Sequence, residues 1–207
     1  EAGLFGEPTV VNNVETLVNA LDIVLLGGAA FAEVGTSDST GTRLFCISGA
    51  IDRPGVYEVE FGTSLRELLD FAGGPPDDLT TILLGGAAGS FVGPDMLDLP
   101  LTFEDSRAEG VSLGSGVVVV YDSSTDMRAV ARRIARFFRD ESCGQCVPCR
   151  VGTVRLEEAL ARNLTGGTPL ETDLIDDIDI AMKDSSICGL GHTAATAIQS
   201  AIKLGLI

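Results

Sequence analysis

The chain has 207 residues, of which 45% are hydrophobic and 21% charged, a composition typical of a folded globular protein with one or two domains. Its formal net charge of −16 argues against a nucleic-acid partner, because binding phosphates needs clustered positive charge. No stretch approaches the roughly 18 uninterrupted apolar residues of a membrane helix, so direct membrane insertion is not expected. Three of the five cysteines lie within seven residues, which indicates a reducing compartment such as the cytoplasm rather than a disulfide framework.

Residues 1–41 predict a helical segment followed by a linker. The stretch "GEPTVVNNVETLVNALDIVLLGG" has apolar residues at helical spacing from Val14 to Leu25. Asn12 is the expected N-cap, Glu15 its expected capping-box partner, and Gly27 the expected end of the helix. The polar stretch "GTSDSTGT" then predicts a linker to the next domain.

Residues 42–122 predict a small sheet that packs on one helix. The stretches "RLFCIS", "GVYEVEFG", "TTILLGG" and "GVVVVYD" predict four strands. Between the second and the third, "TSLRELLDFAGG" predicts a helix with Ser64 as its cap and Glu67 as the capping-box partner. Cys46, in the first strand, is expected to be a small buried side chain without a function. The order of these elements indicates an α+β domain.

Residues 123–207 predict four helices joined by short loops, which favours an antiparallel bundle. The first, "STDMRAVARRIARFFRD", carries five arginines that form either a solvated face or a docking surface for an acidic neighbour. The second, "VGTVRLEEALARNL", is expected to stop at Gly166 and Gly167, and the third to begin with Pro169 in its first turn. The fourth is "HTAATAIQSAIKLG".

The stretch "ESCGQCVPCR" places Cys143, Cys146 and Cys149 three residues apart, between the first and second of these helices. Pro148 argues against a regular helix here, so a loop that turns its sulfurs inward is expected. Cys188 lies in "SSICGLGH" between the third and fourth helices, and both loops fall at the same end of an antiparallel bundle. The spacing C-x2-C-x2-C with a remote fourth cysteine is typical of a [4Fe-4S] cluster.

Other chemistry is compatible with this spacing. Thiolates also bind zinc, and His192, four residues after Cys188, could complete such a site, although a surface histidine at a helix start is the simpler interpretation. Zinc sites usually arrange their cysteines as two separate pairs, and disulfides would have awkward geometry at this spacing. The pattern favours a cluster, and zinc or free thiols stay open as alternatives.

Three stretches together, "ESCGQCVPCR", "SSICGLGHTAA" and "GEPTVVNNVETL", resemble the NADH-binding flavoprotein subunit of respiratory complex I. The same pattern is similar to the diaphorase subunits of NAD-reducing hydrogenases and NAD-dependent formate dehydrogenases, and the resemblance covers essentially the whole chain. It implies one [4Fe-4S] cluster held by four cysteines and contacts between FMN and the "VNNVET" segment. The implied cluster ligands are Cys143, Cys146, Cys149 and Cys188, and the implied FMN contacts are Val11, Asn12, Asn13 and Thr16. A polar helix N-terminus suits a phosphate, whereas capping by Asn12 alone would need no ligand.

The resemblance is to the carboxy-terminal half of that subunit, because the glycine-rich region with which the family binds FMN and NADH has no counterpart in these residues. The middle part resembles the family's soluble-ligand-binding β-grasp domain, which is of the ubiquitin-like type. The implied architecture is the end of an FMN/NADH-binding domain (1–41), a β-grasp domain (42–122) and a four-helix iron–sulfur domain (123–207).

The resemblance implies that the chain relays single electrons from NADH-reduced FMN through the cluster to clusters of partner subunits, among them a thioredoxin-like [2Fe-2S] subunit. The full-length subunit would be an NADH dehydrogenase with NADH as its substrate, and this chain alone is expected to be inactive. Its expected location is the cytoplasm, or the cytoplasmic side of a membrane within a complex. The competing interpretation is a non-catalytic interaction module, with a structural zinc site and a β-grasp domain that binds a partner or ligand.

Overall fold

The computed structural model describes residues 2–166 and 169–207. It has the mixed α+β architecture expected from the sequence: an N-terminal helical segment, a five-stranded sheet and a C-terminal helical region. Gly167, expected to end the second C-terminal helix together with Gly166, lies outside the described residues. None of the described helices combines the length and apolar character needed to cross a membrane.

The elements are numbered in chain order. The strands are β1 Thr42–Gly49, β2 Gly55–Glu60, β3 Leu79–Leu84, β4 Ser90–Val92 and β5 Val117–Asp122. The helices are α1 Val14–Leu26, α2 Gly28–Phe31, α3 Leu65–Phe71, α4 Phe103–Ala108, α5 Met127–Glu141, α6 Val147–Gly166, α7 Thr172–Ser185, α8 Gly189–Thr193 and α9 Thr196–Lys203.

Helix α1 begins one residue later than the sequence suggested. Its N-cap is Asn13, whose side chain accepts a hydrogen bond from the Glu15 N–H at 2.8 Å, so the prediction that Asn12 caps the helix is wrong. The expected exit at Gly27 is confirmed, and its φ of 94° is one that glycine adopts without strain. No residue of α1 is buried, and seven of its apolar side chains are more than half exposed, namely Val14, Leu17, Val18, Leu21, Val24, Leu25 and Leu26.

The five strands form one mixed sheet in the order β2-β1-β5-β3-β4. Strand β1 pairs antiparallel with β2 and parallel with β5, while β3 pairs antiparallel with both β5 and β4. Helix α3 lies between β2 and β3 in the chain and packs on one face of the sheet. Its predicted capping box is confirmed, because Ser64 Oγ accepts the Glu67 N–H while the Glu67 carboxylate accepts the Ser64 N–H.

The sheet differs from the prediction in two respects. Strand β4 is a fifth strand, and its three residues were too few to give a period-2 signal. Cys46 is exposed, so the prediction of a buried side chain is wrong. Because side chains alternate along a strand, the buried neighbours Phe45 and Ile47 place Cys46 on the opposite face of β1.

The described residues of the C-terminal region form five helices where four were predicted. Helix α7 begins at Thr172 rather than at Pro169. The predicted fourth helix is two short helices, α8 and α9, with Ala194 and Ala195 between them. Both alanines are fully buried, and the break occurs there although alanine has the highest helix propensity.

Two hydrophobic cores lie on opposite faces of the sheet. The first, between the sheet and α3, includes Phe45, Ile47, Leu65, Leu68, Leu69, Ile82, Leu84, Val118 and Val120. The second joins the C-terminal helices to Leu83 and Phe91 of the sheet. The Phe91 N–H, on edge strand β4, donates to Ser200 Oγ of α9 at 2.8 Å. The helical region is therefore docked on the second face of the sheet and covers part of its edge.

Candidate iron–sulfur site

The first three cysteines lie between the end of α5 and the first turn of α6. Cys143 and Cys146 are in the connection, and Cys149 is in the first turn of α6, which begins at Val147. The prediction that Pro148 keeps the motif out of a helix is therefore wrong for Cys149. Proline is tolerated in a first turn because its missing N–H would have no partner inside the helix anyway.

The segment before α8 brings the fourth cysteine to the same place. The Ile187 N–H donates to Cys146 Sγ with an N···S distance of 3.4 Å, although these residues are 41 positions apart in the chain. Cys188 follows immediately, so its Cα lies about 3.8 Å from that of Ile187. The two cysteine-bearing connections therefore lie side by side at one end of the helical region.

His192 holds the second connection in shape. Its Nε2 lies 2.8 Å from the carbonyl oxygen of Ser186, and because a carbonyl only accepts, Nε2 carries the proton in this arrangement. His192 is half-buried rather than a simple surface histidine. This interaction spans six residues and leaves no helical signature, so sequence reasoning missed it.

The four thiols differ in their exposure. Cys149 is only 7% exposed and Cys146 is half-buried, whereas Cys143 and Cys188 are exposed. The thiols thus range from the interior to the surface of the helical region. A group bound by all four would have one side enclosed by protein and another facing outward.

Two hydrogen-bond donors point at these sulfurs. One is the Ile187 N–H at Cys146 Sγ. The other is Ser142, whose Oγ lies 3.5 Å from Cys149 Sγ and also accepts the Gly144 N–H at 3.3 Å, which leaves the hydroxyl hydrogen for the sulfur. Hydrogen bonds to sulfur help to set the reduction potential of an iron–sulfur cluster.

The donor set fits an iron–sulfur cluster. Thiolates are the soft ligands that such clusters use, and the positive dipole end of the 20-residue helix α6 favours their negative charge. Gly144 takes a φ of 73° in the turn between Cys143 and Cys146, and its carbonyl accepts from the Arg150 guanidinium at 3.2 Å. Among the described residues, no group of three or more histidine, cysteine, aspartate or glutamate side chains is arranged to hold a single metal ion.

The residues implied to contact FMN lie at the start of α1. Asn13 and Thr16 line a cleft that also contains Arg43. Val11 and Asn12 precede the helix, are exposed and do not line this cleft. The structure therefore brings two of the four implied residues to one cleft and leaves the other two on the adjoining surface.

Glu15 fixes α1 against the sheet. Its carboxylate accepts a hydrogen bond from the Leu44 N–H at 2.8 Å, so a side chain of α1 satisfies a backbone donor of β1. Burial lowers the pKa of the adjacent Arg43, and the negative charge of Glu15 partly offsets that effect. Sequence reasoning assigned Glu15 to a capping box and so missed this contact, which joins residues 29 positions apart.

Two family models match the chain. Residues 129–204 match the NADH-ubiquinone oxidoreductase-F iron-sulfur binding region, and residues 44–88 match the SLBB domain. The first match runs from α5 to the end of α9 and includes both cysteine-bearing connections. It assigns a [4Fe-4S] cluster to the helical region.

Relatives of known identity align over nearly the whole chain. The F subunit of the NADH-quinone oxidoreductase of Mycobacterium tuberculosis is 40% identical over 205 residues, which are 98% of this chain and 46% of that protein. The NADP-reducing hydrogenase subunit HndC of Solidesulfovibrio fructosivorans is 38% identical over 204 residues, which are 97% of this chain and 42% of that protein. The chain spans about half the length of the curated relatives it matches.

A solved structure has the same fold. In the crystal structure of an NAD+-reducing [NiFe]-hydrogenase in the H2-reduced state, one chain matches with a TM-score of 0.87 and 36% identity. The match covers 98% of this chain and 35% of that chain. Together with the cysteine spacing and the matched iron–sulfur region, these similarities show that the chain is homologous to the carboxy-terminal part of NADH-quinone oxidoreductase F subunits and of the related subunits of NAD(P)-reducing hydrogenases.

Proposed function

We propose that this chain is the cluster-carrying portion of an NADH dehydrogenase flavoprotein subunit, and that it relays single electrons from NADH-reduced FMN to clusters of partner subunits. The observation that carries this proposal is the meeting of the two cysteine-bearing connections, with the Ile187 N–H 3.4 Å from Cys146 Sγ. When bound, the cluster supplies a one-electron carrier held by thiolates. The residues of this chain bind it, orient it and enclose one side of it.

We assign the cluster ligands to four cysteines, Cys143, Cys146, Cys149 and Cys188. Their spacing, the adjacent connections and the dipole of α6 all support this assignment. The remaining cysteine, Cys46, belongs to β1 in the sheet and not to either connection. It is therefore left out of the ligand set.

The proposed domain division places a sheet domain between two helical parts. Residues 42–122 are proposed as a ubiquitin-like β-grasp domain, supported by the mixed sheet order and by helix α3 on one face. Residues 123–207 are proposed as a four-helix iron–sulfur domain in which α8 and α9 together take the place of the fourth helix. Residues 1–41 are proposed as the end of an FMN/NADH-binding domain.

FMN binding is proposed for Val11, Asn12, Asn13 and Thr16, as shared contacts within a full-length subunit. The start of α1 offers polar side chains and a favourable dipole end, and Glu15 anchors that helix to the sheet. A helix terminus contributes only about 0.3–1 kcal/mol toward an exposed anion. Micromolar affinity requires roughly 8 kcal/mol, so this chain alone is expected to bind FMN weakly and to lack NADH oxidation.

The proposed partners are other subunits of a multi-subunit oxidoreductase, including a thioredoxin-like [2Fe-2S] subunit. Relatives named as subunits of quinone oxidoreductases and hydrogenases support an assembly of this kind. The exposed apolar side chains of α1 also suit a surface that further protein covers. The proposed location is the cytoplasmic side of a membrane, or the cytoplasm.

The relay is tested in the purified full-length complex by adding NADH anaerobically and recording EPR spectra. Wild type should show a reduced [4Fe-4S] signal, and Cys46→Ala should match it as the control. Cys188→Ala should lose or displace that signal while NADH–ferricyanide turnover at the flavin persists. A wild-type complex whose cluster NADH does not reduce, or a colourless zinc-containing helical region, would contradict the relay and favour an interaction module.

A further inference from the structure

Ser186 has a buried hydroxyl without a partner. Among the described residues, only three buried side-chain polar atoms lack a hydrogen bond, and they belong to Ser106, Asp179 and Ser186. Of these, only Ser186 lies in a cysteine-bearing connection, two residues before Cys188. Buried polar atoms in proteins are almost always hydrogen-bonded, so an unpaired hydroxyl at this position calls for a partner that is not a protein atom.

Both backbone hydrogen-bonding groups of Ser186 are engaged, which fixes the position of its Cβ. Its N–H donates to the Met182 carbonyl at 3.0 Å, and its own carbonyl accepts from His192 Nε2 at 2.8 Å. The first bond ties Ser186 to the end of α7 and the second ties it to α8. The Cα–Cβ bond of Ser186 is therefore held in place from both sides, and only rotation about χ1 can move its hydroxyl.

The Ser186 hydroxyl lies on the side of the connection that faces Cys149. A Cβ added to buried Gly191 would overlap Ser186 Oγ and would lie 3.3 Å from Cys149 Cβ. The serine oxygen and the third cysteine thus pack against the same glycine. Glycine at this position permits α8 to approach both Cys149 and the Ser186 hydroxyl closely.

We propose that the Ser186 hydroxyl donates a hydrogen bond to a sulfur of the bound cluster at the Cys149 corner and thereby raises the reduction potential of the cluster. A donor stabilises negative charge on sulfur, and the reduced cluster carries one more electron, so the bond favours reduction. Ser186 is a positioning and tuning residue and not a ligand. This inference rests on the proposed ligand set of four cysteines.

The experiment uses the full-length complex and measures the midpoint potential of the cluster by an EPR-monitored redox titration. Ser186→Ala should retain the iron and shift the midpoint to a more negative value. Ser186→Thr keeps the hydroxyl and should have a midpoint close to wild type. Ser106→Ala removes the other unpaired buried serine hydroxyl, which belongs to α4 of the sheet region, and should leave the midpoint unchanged.

A second readout is pulsed EPR of the reduced cluster after exchange into D2O. Wild type should have an exchangeable proton coupling that is missing in Ser186→Ala. A Ser186→Ala complex with full iron, the wild-type midpoint and every wild-type coupling would overturn the proposal. If Ser186→Ala loses its iron, the test rests on Ser186→Thr. Full iron with a wild-type midpoint in Ser186→Thr supports a hydroxyl donor, and loss of iron in that variant contradicts the proposal. Failure of the ligand set would be distinct, because wild type itself would then lack the [4Fe-4S] signal.

Discussion

Glu157 lies buried between two arginines of the neighbouring helix. Its side chain is 8% exposed, and its two carboxylate oxygens accept from Arg132 Nε at 3.0 Å and from an Arg139 guanidinium nitrogen at 3.1 Å. These ion pairs tie α6 to α5 just before the cysteine-bearing connection. Two of the five arginines of α5 are therefore internal partners, so neither a solvated face nor a docking surface accounts for the whole cluster.

Removing this carboxylate should destabilise the helical region. Breaking a fully buried ion pair costs about 3–5 kcal/mol, but the two arginines here are 32% and 39% exposed and water can solvate them. Glu157→Ala is therefore expected to lower the free energy of unfolding by about 1–3 kcal/mol in urea denaturation. The matched control is Glu158→Ala, which breaks an exposed pair with Arg155 and should cost less than about 1 kcal/mol. Equal losses in the two variants would contradict this account.

Glu104 links the linker after α2 to α4. Its carboxylate accepts hydrogen bonds from the hydroxyls of Ser39 and Thr36, at 2.5 and 2.6 Å, and these bonds, that of Ser39 first, lower the pKa of Glu104. Because the folded pKa is depressed, the stabilisation is present at neutral pH. It is lost as the pH falls below the unfolded value of about 4.3 and through the folded pKa.

The pH dependence can be isolated with one substitution. Between pH 7 and acid pH, wild type should lose more stability than Glu104→Gln, which has no carboxylate to protonate at this position. Urea denaturation at several pH values measures the difference, and Asp95→Asn serves as a control at another acidic residue of the sheet region. Parallel stability curves for wild type and Glu104→Gln would show that protonation of Glu104 does not affect stability, which would contradict a lowered pKa in the folded state.

At the scale of single elements, α1 offers a direct test of which asparagine caps it. Asn13→Ala removes the acceptor of the Glu15 N–H and should destabilise the helix by about 0.5–2 kcal/mol. Asn12→Ala should leave stability unchanged, because Asn12 lies outside the helix and makes no cap contact. Thermal unfolding of the two variants checks this difference. A larger loss of stability in Asn12→Ala than in Asn13→Ala would show that Asn12 caps the helix, as the sequence predicted.

Several elements could be predicted because their signals are local. The capping box of α3 requires only Ser64 and Glu67, three residues apart, and the turn that ends α1 requires only Gly27. The three-residue strand β4 and the division between α8 and α9 could not be predicted, because both depend on what packs against them. Pro148 misled the prediction because proline breaks helix interiors but suits first turns, and the sequence does not say where the helix begins.

The candidate site, too, could be predicted from the sequence only in part. The spacing of three cysteines and the position of Cys188 were enough to propose a cluster. The contacts that shape the site could not be predicted, because they join residues far apart or through the backbone. Examples are the Ile187 N–H on Cys146 and the His192 side chain on the Ser186 carbonyl.

At the scale of the whole molecule, the sheet separates two hydrophobic cores, and only one of them forms without the C-terminal helices. The core on the α3 face consists entirely of residues between Phe45 and Val120, whereas the other face needs the C-terminal helices to cover Leu83 and Phe91. The sheet region should therefore contain enough apolar contacts to fold by itself. It would also expose an apolar face that favours self-association.

Residues 42–122 expressed alone should unfold cooperatively, at a lower temperature than in the whole chain and with concentration-dependent association. Circular dichroism and sedimentation measure these two properties. Leu83→Thr, on the face that the helices cover, should reduce association and preserve the transition. Ile82→Thr, on the α3 face, should abolish the transition. A molten product from the unsubstituted fragment would contradict the proposed domain boundary.

The most direct test of the proposed cluster is the iron content of the full-length subunit after anaerobic reconstitution. Wild type and Cys46→Ala should each bind about four irons per chain and have the broad visible absorption of a [4Fe-4S] centre, whereas Cys188→Ala should retain markedly less iron. Undiminished iron and an unchanged spectrum in Cys188→Ala, or a colourless wild-type protein that takes up zinc in place of iron, would contradict the account.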